Sequence, residues 1–368
     1  MSTADTYWAP GKILLFGEHS AVFGYPAVGA ALHRGLKLTV KPASAMTLTV
    51  TGSSDPADSA SHTGLRRFGV FLQEYAPHLP PSLVEITSDV PISSGFGSSA
   101  ALCTALAQWS IDAETGGRGE ARLCEHAGSH ERQVPHTGTC RGEVWRRAHE
   151  LERFFHGTPS GIDTGLAALG GVQAFRFHHA AGGSLPTATA LSDTLPPMVV
   201  GSVPRNRSTR ELVAMVRRRH EENRPATTAI LTALGELAEE AIAHLSGSGG
   251  SPQILGELAA TAQAHLTELN VSSPVIEYIL RAGETAGAVG GKLSGAGDGG
   301  AFYLVCPDTD IATSVRSAVA RVLPPGGVVF VMGKGGSTSD MEAPSEVDVS
   351  QQRPVEDDKQ ARRRQDRE

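Results

Sequence analysis

The 42 glycines of this 368-residue chain gather in clusters, and two of the clusters constrain the fold more than any other feature. The first is Pro91-Ile92-Ser93-Ser94-Gly95-Phe96-Gly97-Ser98-Ser99-Ala100-Ala101. It follows a strand pattern around Leu83 and Ile86 and precedes a breaker-free helical run, Ala100 to Trp109. Glycines between a strand and a helix let the backbone approach an anion closely. The free amides and dipole of the helix N-terminus then favour negative charge there. Serine hydroxyls add hydrogen bonds or a metal contact. This pattern predicts a nucleotide phosphate site. Gly95-x-Gly97-x-x-Ala100, with Glu114 further on, also satisfies the dinucleotide fingerprint, but that turn follows the first strand of its unit and here several strands precede it. The second cluster, Lys292-Leu293-Ser294-Gly295-Ala296-Gly297-Asp298-Gly299-Gly300-Ala301, lies between two strand patterns. A hairpin needs one or two glycines. Four glycines in the six residues from Gly295 to Gly300 exceed that need, and close backbone approach to a ligand accounts for the excess.

Two further constellations carry ionisable groups. In Glu152-Arg153-Phe154-Phe155-His156-Gly157-Thr158-Pro159-Ser160-Gly161-Ile162-Asp163 a helix ends near Phe155 and a turn presents Ser160 and Asp163. A carboxylate there can take a proton or orient a hydroxyl, and Glu152 can hold a divalent cation. The purely structural alternative makes Ser160 a helix cap and Asp163 a first-turn acid; the two readings are compatible. Near the N-terminus, Ala9-Pro10-Gly11-Lys12 leads through Ile13-Leu14-Leu15-Phe16 to Gly17-Glu18-His19. A lysine entering an apolar strand, followed by Glu18-His19 past its end, exceeds what packing asks for; the alternative is an exposed lysine on an edge strand.

Composition narrows the class. Net charge is −7, against a dedicated nucleic-acid binder. The longest apolar stretch, Ala21 to Leu32, is too short for a bilayer and holds Gly24, Pro26 and Gly29. Four cysteines do not make a disulfide scaffold, and no basic run followed by an apolar core opens the chain, so a cytoplasmic protein without membrane partners is expected. Strand patterns fall at 7–18, 36–40, 46–50, 83–89, 172–177, 198–203, 289–293, 301–306 and 327–332. Helical patterns fall at 65–75, 100–109, 143–155, 162–169, 209–222, 226–245, 253–268, 274–286 and 311–322. Residues 180–197 are small, polar and proline-bearing and read as a linker. Residues 113–142 show no period and read as an irregular insertion; its Cys124, His126, His130, His136 and Cys140 match no common zinc spacing. From Gly333 no core pattern remains.

These segments, in this order, resemble the GHMP small-molecule kinases. Pro91 to Ala101 resembles their phosphate loop, and Lys292 to Gly300 their third motif. Within the family the mevalonate-phosphorylating branch is the most similar. Pro10 to His19 with Ala21 to Ala27, His156 to Asp163, and Val203-Pro204 through Ser208-Thr209 to Ala214 all resemble its segments, and the resemblance covers about residues 7–332.

The resemblance implies an α+β two-domain GHMP kinase fold. An S5-like N-terminal domain would span 1–190, a ferredoxin-like C-terminal domain with added helices 191–335, and a tail 336–368. It implies ATP and Mg²⁺ as cofactors and mevalonate as acceptor, phosphorylated on its 5-hydroxyl, in a monomer or homodimer. Asp163 and Lys12 would be catalytic. Ser93, Ser94, Gly95, Phe96, Gly97, Ser98 and Ser99 would wrap the phosphates, and Ser99 and Glu152 would hold the metal. Lys12, Glu18, His19, His156, Asp163, Thr209, Gly295 and Ala296 would surround the acceptor. Alternatives on the same scaffold are another GHMP small-molecule kinase, such as a phosphomevalonate kinase, and a ligand-binding regulator without turnover. Three residues or segments depart from the family pattern besides 113–142: Phe96 for leucine, Asp298 for glycine, and Asn206-Arg207 as an insertion.

Overall fold

The computed structural model describes residues 4–51, 59–92, 94–116, 140–177, 185–192, 194–246 and 250–332. Residues 1–335 group as one compact unit containing two sheets. The first sheet holds β1 (Asp5–Phe16), β2 (Ala27–Pro42), β3 (Thr47–Val50), β4 (Ser82–Ser88), β5 (Val172–Arg176) and β6 (Thr187–Ser192). Its order is β3-β4-β2-β5-β6, with β1 also paired to β2; only β3 and β4 run parallel. The second sheet holds β7 (Met198–Val203), β8 (Gly290–Leu293), β9 (Gly300–Val305) and β10 (Val328–Met332) in the order β10-β7-β9-β8.

Ile13 to Phe16 form a continuous buried run because β1 is covered on both sides. Helices α2 (Ser98–Thr115) and α4 (Ile162–Leu169) pack on it, and so do α6 (Arg224–Leu245) and α7 (Pro252–Glu268). Ala100, Ala101, Ala105 and Ala107 of α2 are fully buried and let that helix lie close to β1 and β2. Helix α3 (Cys140–His156) packs against α2 and α4, and α1 (Ser59–Tyr75) lies beside β3. The remaining helices are α5 (Thr209–Glu222), α8 (Pro274–Thr285) and α9 (Thr309–Ala320). One large core joins β1 and β2 to the second sheet and α5 to α9.

The structure corrects the sequence reading at three places. The segment expected as a linker contains β6, hydrogen-bonded to β5 from Thr187 to Ser192. Its alternating threonines suit an edge strand, and the flanking prolines lie outside the ladder. Helix α2 runs to Thr115, past the expected end, and stops at Gly116 in the left-handed region. The strand pattern at 36–40 is part of a longer element: a 3₁₀ turn at Ser20–Phe23 is followed by one sixteen-residue strand. Most of the expected insertion (117–139), with the candidate zinc ligands Cys124, His126, His130 and His136, and the expected tail lie outside the described residues, while Cys140 opens α3.

Candidate active site

The phosphate-type loop is shaped by what holds it from behind. Phe96 is fully buried and its ring meets Phe330 at 5.6 Å. Its carbonyl accepts from the Lys12 amide at 2.9 Å, so this position offers only backbone to a ligand. The Ser94 carbonyl accepts from Ser202 Oγ at 2.7 Å, fastening the loop to β7. Gly97, at φ +71°, is the N-cap of α2 and has no side-chain cap. A Cβ there would stand 2.8 Å from Lys12 Cγ, so glycine both permits the turn and makes room for the lysine stem. The first-turn amides of α2 have no helical acceptor, which is the arrangement that binds anions. Ser93 lies outside the described residues.

Lys12 comes from β1, just after an irregularity in its pairing with β2 between Pro10 and Lys12. It is 6% exposed, not an edge lysine in solvent. Its ammonium lies 3.0 Å from Asp163 Oδ1. Asp163 stands in the first turn of α4, and its side chain is 37% exposed, so it remains accessible. The helix cap is Gly161 rather than Ser160, whose hydroxyl accepts from the Ile162 amide at 3.3 Å. Trp145 on α3 donates its indole N–H to the Gly161 carbonyl at 2.9 Å and packs edge-on against Phe175.

Glu152, in the last turn of α3, joins this group. It is buried, and its pKa is pushed up to about 8, first by burial and then by the negative charge of Asp163; Lys12 and a hydrogen bond with Ser99 oppose the rise. Ser99 Oγ also meets His156 Nε2 at 3.2 Å, and His156 Nε2 is 3.9 Å from Glu152 Oε1. Lys12, Ser99, Glu152, His156 and Asp163 therefore converge at the N-terminus of α2, although they lie up to 151 positions apart in the chain.

The third glycine segment connects β8 to β9 and is held by charge. Lys292 is fully buried and forms an ion pair with Glu18, itself 2% exposed. Burial pushes the lysine pKa down, and Glu18 works against that. The second Glu18 oxygen is buried without a partner. Glu18 thus faces the interior. Next to it His19 adopts φ +60°, and its Nε2 meets the Ala296 carbonyl at 3.0 Å. Burial lowers the His19 pKa. Ser294 Oγ exchanges hydrogen bonds with the Leu14 backbone at 2.9–3.0 Å. A Cβ on Gly295 would meet nothing within 4 Å, so this residue borders open space.

Thr209 opens α5 behind a Ser208–Glu211 capping box. Its hydroxyl accepts from Arg205 Nη1 at 3.0 Å. Sequence reasoning passed over Arg205. Its guanidinium lies where side chains on Gly95 and Gly300 would otherwise be: their Cβ positions fall 3.2 and 2.5 Å from Arg205 Nη2. Burial pushes its pKa down, and its Nε is buried without a partner. A basic residue beside VP in a segment resembling a family motif was the available signal.

Residues 65–171 match the GHMP kinases N terminal domain, and residues 238–325 match GHMP kinases C terminal. A mevalonate kinase of Thermococcus onnurineus is 32% identical over 340 residues, which is 84% of this chain and 92% of the relative. The chain belongs to the GHMP kinase family. A mevalonate kinase of Pyrococcus abyssi is similar to this kinase at 31% identity, with 84% of this chain and 91% of the relative covered. Among solved structures, L. major mevalonate kinase in complex with R-mevalonate superposes with a TM-score of 0.71 at 22% identity. That match covers 91% of this chain and 98% of the other, and it establishes the two-domain GHMP fold. Among the described residues no helix is long and apolar enough to cross a membrane.

Proposed function

We propose that this protein is an ATP-dependent mevalonate kinase that phosphorylates the 5-hydroxyl of mevalonate. The observation that carries the proposal is the Lys12–Asp163 contact of 3.0 Å beside the glycine-capped N-terminus of α2. It puts an accessible carboxylate and a buried ammonium next to an anion-binding backbone. The named relatives that this chain matches over 84% of its length supply the acceptor.

In this reading Asp163 takes the proton of the acceptor hydroxyl as its oxygen bonds to the γ-phosphorus. The bond from that phosphorus to the β-phosphate oxygen breaks, and ADP leaves. Lys12 offsets the charge that builds on the hydroxyl oxygen and the transferred group. Phosphoryl transfer asks mainly for such positioning and charge neutralisation. Ser94, Gly95, Gly97, Ser98 and Ser99 surround the phosphates, with Ser93 expected beside them, and Phe96 contributes backbone alone.

Ser99 and Glu152 would hold Mg²⁺. Their hard oxygens suit it, since Mg²⁺ usually takes one or two carboxylates with the substrate phosphates and water. Two carboxyl groups, Glu152 and Asp163, face the one ammonium of Lys12, and the Asp163 charge adds to burial in pushing the Glu152 pKa up to about 8, so a cation there would be welcome. When bound, the ion neutralises phosphate charge. His19, His156, Thr209, Gly295 and Ala296 border the acceptor, while Glu18 acts from behind, through Lys292 and His19. We place the domain boundary near residue 190, and a cytoplasmic monomer or homodimer acting on small molecules fits the acidic balance.

The test is Mg²⁺-dependent ADP release with R-mevalonate, and with phosphomevalonate, galactose and homoserine in parallel. Release with mevalonate alone is expected. Asp163→Asn should retain ATP binding and lose at least about a hundredfold in kcat. Turnover of another acceptor overturns the substrate assignment. Nucleotide binding with no turnover of any acceptor makes the protein a ligand-binding regulator.

A further inference from the structure

Two departures from the family pattern meet in space. Asp298, where the third motif usually has glycine, lies 91 positions from the inserted Arg207, and Arg207 Nε donates to Asp298 Oδ2 at 2.9 Å. Asp298 is buried and sits at φ +54°, a conformation that favours glycine. A residue that is strained there and carries a buried charge needs compensation. Arg207 supplies it from a half-exposed position, braced by a contact between its Nη1 and Met215 Sδ at 3.2 Å.

Arg205 lies within electrostatic reach of the same carboxylate. The backbone of Asn206 meets the Asp298 carbonyl at 3.4 Å, so residues 204–207 lie along the third glycine segment. Asp298 acts electrostatically on Arg205 as well as on Arg207. One carboxylate therefore faces two guanidiniums. Its hydrogen bond goes to Arg207, and Arg205 keeps a buried, partnerless Nε and a head lying over Gly95 and Gly300. A half-buried cation placed beside two glycine loops is available to an anion. The same cation paired with Asp298 is not.

We propose that Arg207 is a positioning residue that occupies Asp298 and so keeps Arg205 positive toward the anionic group of a bound substrate, whether a nucleotide phosphate or the acceptor carboxylate. The acceptor arm of this inference rests on the function proposed above; the nucleotide arm does not. If Arg207 is removed, the Asp298 carboxylate turns to Arg205 and cancels its charge. If Asp298 is removed as well, the cancellation disappears. Glycine at 298 suits the backbone angle, so that variant is conformationally favoured.

The test compares wild type, Arg207→Ala, Asp298→Gly, the double variant and Arg207→Lys. Isothermal titration with ADP and with R-mevalonate measures Kd separately for each ligand, alongside kcat and KM. Arg207→Ala should weaken one of the two ligands by roughly five- to tenfold, with kcat changed by less than about twofold. Arg207→Lys should recover most of that loss. The double variant should bind within about twofold of Asp298→Gly, which itself stays near wild type. The ligand affected tells phosphate from carboxylate. A pair that merely ties the loop together predicts the opposite pattern: Asp298→Gly alone is as weak as Arg207→Ala, and the double variant does not recover. That pattern, or an Arg207→Ala protein that binds both ligands normally, overturns the proposal. Wild-type binding of ADP without mevalonate turnover counts against the proposed function and leaves the ADP comparison readable.

Discussion

The two glycine loops look alike in the sequence and are held by different physics. The loop at 94–99 is plugged into the core by the Phe96 ring and tied through its carbonyls to the Lys12 amide of β1 and the Ser202 hydroxyl of β7. The loop at 294–300 is flanked by charge: the buried Glu18–Lys292 pair, and its own buried Asp298 with the half-buried Arg205 and the half-exposed Arg207. Apolar anchoring depends on shape and volume and is indifferent to salt. Anchoring by buried ions fails sharply when one partner is lost, because the other charge is left in the interior. A loop that only has to cradle phosphate can be rigid. A loop flanked by charges sets the local potential that an anionic ligand meets.

The sharpest way to break this comparison is Glu18→Ala. It leaves Lys292 buried and unpaired and should cost about 3–5 kcal/mol in urea unfolding. Glu18→Ala combined with Lys292→Met should regain a large part of that; no recovery would show that the pair is not what holds the second loop. Next in size is Gly97→Ala. The left-handed conformation should cost about 1–2 kcal/mol, and the displaced Lys12 should lower kcat by about tenfold, read in steady-state assays. Phe96→Leu tests the plug itself. A similar apolar volume should keep unfolding free energy within about 1.5 kcal/mol and leave ATP binding unchanged.

The smallest effect is on pH dependence. Burial lowers the pKa of both His19 and His149. The unfolded chain then binds protons at these two sites that the native state excludes, so their contribution to stability is full above the ordinary histidine value of 6.5 and declines as the pH falls below it. Glu152, raised to about 8, works in the opposite direction over the same range, so the histidine part is read as a difference: from pH 7.5 to pH 5.5 the unfolding midpoint of His149→Gln should fall less, or rise more, than that of the wild type.

Much of this was legible in the residues. The strand, glycine turn and helix from Leu83 to Trp109 follow from local pattern alone, and so does Asp163 at the start of α4. Strand β6 was not legible: Thr187 to Ser192 carry few large apolar side chains, and pairing with β5 rather than propensity makes them a strand. The charged supports were hidden for another reason. Lys292 and Glu18 are 274 positions apart, and nothing in either neighbourhood names the other. Asp298 and Arg207 each look like a defect alone, and only the fold shows that they compensate one another.

Trp145 gives the chain an optical consequence. Of its three tryptophans, Trp8 is 38% exposed, Trp109 lies in a separate core cluster, and Trp145 is fully buried against the carbonyl that caps α4. Indole emission depends on the polarity and hydrogen bonding of its surroundings. A tilt of the helix carrying Asp163 would alter the Trp145 hydrogen bond directly, so the protein carries an intrinsic fluorophore whose colour and lifetime report how Asp163 is held.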